Sequence, residues 1–155
     1  MKVLRLEILK ADERDMREIL DLQRLAFFEV GVRYDDPDTT PLPQTLDELI
    51  EESKGQVFLK AVHEGKIIGT VRGRLDGDIC RVSKVMVHPD HQGMGIGRML
   101  MASIEKEFDV PVFELRTGHL DERTISLYER LGYILTGEKE QISNALWFVR
   151  MRKER

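Results

Sequence analysis

The chain lacks most of what would place it outside a reducing, aqueous setting. It has one cysteine, Cys80, so no intramolecular disulfide framework can form, and that usage suits a reducing compartment. No apolar run reaches the roughly 18 residues that a membrane span needs. The first residues, Met1-Lys2-Val3-Leu4-Arg5-Leu6-Glu7, interrupt their apolar character with charge, unlike a secretory leader. Positive charge is not in excess: 24 Lys and Arg stand against 28 Asp and Glu, a net charge of −4, which is a poor start for a nucleic-acid binder. Repeats, low-complexity tracts and Gly/Ser linkers are missing too, so residues 1–155 are expected to form one domain. The 41% apolar and 34% charged residues that are present suit a chain able to bury a continuous core, not a disordered tail. A cytoplasmic location follows as the expectation, with neither membrane nor nucleic acid as partner.

Periodicity orders the elements. Val3–Leu9 alternates as a half-buried strand. Asp12 can cap a helix whose apolar face carries Met16, Ile19, Leu20, Ala26 and Phe27. Gly31–Gln44 holds Pro37, Pro41 and Pro43 and reads as irregular. Thr45-Leu46-Asp47-Glu48 is a capping box opening a helix through Glu52. Val57–His63, Ile67–Leu75 and Ile79–Val87, parted by Glu64-Gly65-Lys66 and Asp76-Gly77-Asp78, form an antiparallel meander. A helix over Ile96–Phe108 and a strand at Val112–Leu115 follow. A helix over Asp121–Leu131 is ended by Gly132, and strands at Tyr133–Thr136 and Ala145–Met151 close the chain. The order β-α-α-β-β-β-α-β-α-β-β belongs to the α/β (α+β) class with a mixed sheet.

Between the third meander strand and the next helix stands Gln92-Gly93-Met94-Gly95-Ile96-Gly97-Arg98. Alternating glycines at a helix start let successive amides turn toward one point, where the helix dipole adds a positive field. A phosphate suits such a point, and Arg98 can supply a charge-assisted bond to it. A dinucleotide fingerprint needs glycine at its first, third and sixth positions, but the sixth from Gly93 is Arg98 and from Gly95 is Leu100. A Walker loop needs Gly-Lys-Ser/Thr, and here Gly97 precedes Arg98-Met99. Both fail. The run does match Gln/Arg-x-x-Gly-x-Gly/Ala. With Val85-Met86-Val87-His88-Pro89 before it and Leu127-Tyr128-Glu129-Arg130-Leu131-Gly132-Tyr133 after it, nearly the whole chain resembles the GNAT superfamily of acyl-CoA-dependent N-acyltransferases.

The resemblance implies a mostly antiparallel mixed sheet flanked by helices, with acetyl-CoA as cosubstrate and no metal. Val85, Met86 and Val87 match the strand that pairs with pantetheine. Gln92, Gly93, Met94, Gly95, Ile96, Gly97 and Arg98 match the diphosphate cradle, and Asp121, Thr124 and Tyr128 complete the cofactor side. Tyr128 stands at the family's proton-donor position, where a phenol would protonate the leaving sulfur. The N–H of Val87 matches the group that polarises the thioester carbonyl. Direct transfer to an amine in a ternary complex is implied, and Cys80, in mid-strand, reads as a small buried hydrophobe and not a nucleophile.

Two departures from the family stand out. Asp121 replaces the Asn frequent at that helix start, and a carboxylate offers no donor to the cofactor. The strand Ile79–Lys84 carries no carboxylate to act as base, which leaves Glu114, His119 or a water relay. On the acceptor side, Tyr34, Asp35, Asp36 and Gln44 match the segment that borders the family's acceptor pocket. Asp35–Glu52 contains seven acidic residues and no basic one. These suit either a rim that gathers a cationic amine or a solvated helix face with turn carboxylates. The implied acceptor is a small-molecule amine or a peptide N-terminus, and relatives are often homodimers. The alternative class is a non-catalytic acyl-CoA-binding regulatory or sensor domain. His88 and His91, interrupted by Pro89 and with no third ligand nearby in sequence, read as loop histidines.

Overall fold

A computed structural model describes residues 5–34 and 44–155, without the side chains of residues 30–34. Its strands are β1 (Glu7–Lys10), β2 (Val57–His63), β3 (Lys66–Asp76), β4 (Ile79–Val87), β5 (Val112–Gly118), β6 (Ile134–Gln141) and β7 (Trp147–Glu154). Its helices are α1 (Met16–Tyr34), α2 (Leu46–Ser53), α3 (Ile96–Lys106) and α4 (Glu122–Arg130). The strands form one sheet in the order β1-β2-β3-β4-β5-β7-β6, and of its neighbouring pairs only β4 and β5 run parallel. The order of elements is the one periodicity gives. Among the described residues no helix is long and apolar enough to cross a membrane.

Alternation along the strands divides the apolar residues between two cores. Leu59, Ile68, Val71, Cys80, Val82 and Phe113 face Ile96, Leu100, Met101 and Ile104 of α3 and Tyr128 of α4. On the other face Phe58 and Ile67 meet Met16, Ile19, Leu20 and Leu22 of α1 and Leu49 of α2. The caps read from the sequence are made. Asp12 accepts from the Arg14 N–H while Asp15 accepts from the Asp12 N–H, and Thr45 and Glu48 bond each other's backbone in the same way. Gly132, at φ +100°, ends α4 with its N–H on the Glu129 carbonyl at 3.1 Å.

α3 lies close to the sheet because β3 offers it glycine. A Cβ on Gly69 would stand 3.1 Å from Leu100 and 3.2 Å from Ile96, and one on Gly73 would stand 2.7 Å from the Phe108 ring. Gly73→Ala is therefore expected to lower stability by about 1–3 kcal/mol through overpacking, read as a lower urea midpoint with an unchanged slope.

Several boundaries differ from those expected. Gly31–Gln44 is not wholly irregular: α1 continues through Tyr34. The first proline is Pro37, and its restriction reaches back only one residue. β1 begins at Glu7, while Val3 and Leu4 lie outside the described residues. β5, β6 and β7 all run further than their apolar residues indicate. β6 is an edge strand exposed along its whole length, so hydrophobic alternation has nothing to mark there.

Candidate active site

β4 and β5 lie side by side only over Ile79–Arg81 and Val112–Glu114. Beyond that pairing the strands part. Within β4 the register against β3 passes from Arg72–Ser83 to Thr70–Met86, so Lys84 and Val85 together face Val71. This extra residue is a bulge, and Lys84 takes the left-handed φ of +54° to make it. The bulge also reverses the alternation of β4. Val82 faces the α3 core before it, and Val85 and Val87 pack on that core after it. The His88 N–H donates to the Ile68 carbonyl of β3 at 2.8 Å, so the Val87 N–H, one residue earlier, points the other way, into the gap.

From Val87 the chain passes through a 3-10 turn at Pro89–His91 into the glycines. Gly93 and Gly95 have φ of +79° and +80°, which other residues adopt only under strain. No atom lies within 4 Å of where either Cβ would stand, so these glycines serve backbone conformation and not packing. Gly97 differs: it lies inside α3, and its absent Cβ faces Leu127 at 3.6 Å and Val87 at 4.0 Å. Gly95 is the N-cap of α3, and among the described residues no side chain bonds the first-turn amides. The first bond of the helix runs from the Met99 N–H to the Gly95 carbonyl at 3.1 Å, which leaves the N–H groups of Ile96, Gly97 and Arg98 open. Met94 and Arg98 are exposed, and among the described residues no carboxylate pairs with Arg98. Gln92 turns back instead, its Nε2 donating to the Val87 carbonyl at 3.3 Å. Open amides, a helix dipole and a free guanidinium around one exposed turn form a donor set for a diphosphate.

Tyr128 projects from α4 into the α3 core, 5% exposed, its ring edge-on to Tyr133 at 6.0 Å. Thr124 lies one turn earlier on the same face, and Leu127 stands 3.6 Å from where a Gly97 Cβ would be, so α4 lies beside the start of α3. The hydroxyls of the two tyrosines have different surroundings. Tyr133 donates to Glu105 at 2.9 Å, whereas among the described residues none hydrogen-bonds the Tyr128 hydroxyl. Lost solvation, and then the charge of Asp121, hold the Tyr128 pKa above that of an ordinary phenol, so it keeps its proton at neutral pH. Asp121 stands at the start of α4 but does not cap it through its side chain. Its ψ of 64° is far from the extended geometry that such a cap uses.

The remaining candidates divide. Glu114 is buried between Arg81 at 2.9 Å and Arg152 at 3.4 Å, so each of its carboxylate oxygens is already engaged by a guanidinium. His119 has Nδ1 against the Trp147 backbone, whose N–H lies 3.1 Å away, and so ties the end of β5 to β7. Cys80 is fully buried, and burial first, then the charge of Glu105, pushes its thiol from 9.0 up to about 12. That thiol carries almost no thiolate at neutral pH. A thiol reagent at pH 8 is expected to leave the native chain unmodified and to label it once in urea. The folded-state pKa is the raised one, so this group's contribution to stability is complete below the unfolded value and is lost as pH climbs toward about 12.

Where α1, α2 and β3 meet, four side chains close a ring. Gln23 Nε2 donates to Gln44 Oε1 at 2.9 Å, and Gln44 Nε2 to Glu52 Oε1 at 3.2 Å. Arg72 Nη1 donates to Glu52 Oε2 at 2.5 Å, and Nη2 to Gln23 Oε1. Arg72 is 1% exposed and lies over the Phe58 ring, and sequence reasoning missed it. A lone arginine inside the apolar run Ile67–Gly73 was the available signal. Tyr34 is the last residue of α1; its side chain, with Asp35 and Asp36, lies outside the described residues. Three of the acidic residues of this region are engaged locally: Glu48 in the capping box, Glu51 with Lys54 at 2.9 Å and Glu52 with Arg72.

The profile of the Acetyltransferase (GNAT) family matches residues 16–133. Among solved structures, the chain is similar to an N-acetyltransferase from Staphylococcus aureus Mu50, with 16% identity and a TM-score of 0.79 over 97% of this chain and 98% of that one. It is similar to the ribosomal-protein-alanine N-acetyltransferase of Brucella melitensis, with 22% identity and a TM-score of 0.77 over 96% and 99%. The PaiA N-acetyltransferase of Thermoplasma acidophilum, solved in complex with coenzyme A, shares 16% identity and a TM-score of 0.74 over 98% and 100%. At these identities the structures testify to the fold.

Proposed function

Because the chain belongs to the acetyltransferase (GNAT) family, we propose that it transfers the acetyl group of acetyl-CoA to a primary amine by direct attack in a ternary complex. A fold neighbour solved with coenzyme A supports the cosubstrate, and one named for a protein alanine supports an amine as acceptor. When bound, acetyl-CoA supplies an activated acetyl group on a thiol leaving group. The open amides of Ile96, Gly97 and Arg98, with the turn Gln92–Gly95 and the Arg98 guanidinium, hold the diphosphate. Val85, Met86 and Val87 present the backbone edge that no longer pairs with β5 to the pantetheine arm. The Val87 N–H polarises the reacting carbonyl from the gap. Asp121 and Thr124 border the arm from α4, and Tyr128 gives the proton on its Oη to the departing sulfur. Tyr34, Asp35, Asp36 and Gln44 border the acceptor.

One observation carries this reading: a helix start with open amides follows directly from the strand that parts from β5, and the helix beside that start brings a phenol whose hydroxyl has no hydrogen-bond partner among the described residues. The test is thiol release from acetyl-CoA, measured with and without a panel of primary amines. Acceptor-dependent release is the expected result. Tight coenzyme A binding with no release across the panel points instead to a regulatory acyl-CoA-binding domain, and the absence of coenzyme A binding overturns both.

A further inference from the structure

Lys84 is the one residue of β4 in the left-handed region, at φ +54°, where glycine is the unstrained choice. Such strain in a non-glycine residue persists only where the surrounding structure holds it, as the register shift between β3 and β4 does here. The side chain is exposed, and its Nζ lies 4.7 Å from the centroid of the Phe27 ring on α1. It therefore reaches over the α1 face of the sheet at the point where β4 leaves β5, opposite the face that carries α3, α4 and Tyr128. An amine arriving at a thioester held in that gap must come from this face, because α3 and α4 cover the other.

The charges around Lys84 are unevenly matched. Arg72 has Glu52 as its partner, and Arg116 has Glu140 at 2.7 Å. Among the described residues Lys84 has only the face of Phe27. Lost solvation, and then the positive charge of Arg72, draw its pKa below that of an ordinary lysine, with Glu52 opposing and Arg116 adding to the effect. With its ammonium laid on the Phe27 ring near two guanidiniums, and no carboxylate paired with it among the described residues, Lys84 gains more from an anion than an ordinary surface lysine does.

Building on the acetyltransfer reading, we propose that Lys84 determines acceptor specificity by pairing with a carboxylate that the acceptor carries close to its amino group. The substrate class is then a small amino acid or a similar carboxylated amine, not a polyamine or a peptide N-terminus.

The experiment compares kcat/KM for free amino acids and their carboxamides at one pH and ionic strength. The carboxamide is the weaker base and offers more free amine, so this bias runs against the expected result. The wild type should favour the free acid by about tenfold or more. Lys84→Met should bring that ratio close to one while the acetyl-CoA KM holds, and Lys84→Arg should keep most of it. Lys84→Gly removes the charge and relieves the backbone, so it should also lose the ratio while the Tm holds or rises, which excludes unfolding as the cause. Equal use of carboxamides, polyamines or peptide N-termini by the wild type overturns the proposal. So does an equal loss on acid and carboxamide in Lys84→Met. If no amine of any kind releases thiol from acetyl-CoA, it is the acetyltransfer reading that has failed, and this proposal falls with it.

Discussion

Tyr128→Phe is expected to lower kcat by about 10²–10⁴-fold while leaving the acetyl-CoA KM within about twofold. The substitution removes one oxygen and keeps the ring that packs edge-on against Tyr133. Among the described residues none bonds that oxygen, so its loss strands no partner and stability should hold within about 1 kcal/mol. The defect then falls on proton delivery alone. Tyr133→Phe supplies the opposite pattern. Its hydroxyl serves Glu105 at 2.9 Å, so that variant should lose stability and retain turnover. The pH dependence has a definite sign. A phenol donates only while protonated, and desolvation with Asp121 holds its pKa above the ordinary value near 10. Activity that depends on this proton is therefore complete through neutral pH and is lost only above about 10. A full kcat in Tyr128→Phe, measured by thiol release at saturating amine, would remove the phenol from the reaction.

What could be read from the sequence was local. Gly93 and Gly95 announce backbone that turns to positive φ, and the structure gives both that conformation. Thr45 with Glu48, Asp12 with Asp15, and Gly132 are likewise decided by residues a few positions apart. The parting of β4 from β5 has another origin. It accompanies the bulge at Lys84, and a bulge exists only in the register between two strands, which no single strand encodes. A trace of it is nonetheless present: apolar residues hold even positions at Cys80 and Val82, then odd ones at Val85 and Val87. The ring of Gln23, Gln44, Glu52 and Arg72 joins side chains as far apart as 49 positions, beyond the reach of any periodicity. Glu114 offered itself as a base by residue type alone, and only the fold shows Arg81 and Arg152 holding it. Asp121 has the right chemistry to cap α4, but a backbone ψ of 64° withholds its side chain from the role.

Gly95→Val is expected to raise the acetyl-CoA KM by about 10–100-fold, with a smaller effect on kcat. The reason lies in the backbone. There is room for a Cβ, since nothing stands within 4 Å of its position, so the substitution disturbs no neighbour. A φ of +80° costs an ordinary residue about 1–2 kcal/mol, and β-branching makes it worse. The chain escapes that cost by rotating toward negative φ, and rotation at the residue that caps α3 turns the amides of Ile96 and Gly97 off their common point. Binding therefore suffers more than folding. Gly97→Ala makes the comparison sharp, because its Cβ would meet Leu127 at an ordinary 3.6 Å with no change of φ region, so KM should stay close to wild type. Coenzyme A should raise the Tm of the wild type and of Gly97→Ala, and raise that of Gly95→Val far less at the same concentration. An undiminished shift in Gly95→Val would reduce the glycine run to an ordinary turn and detach α3 from ligand binding.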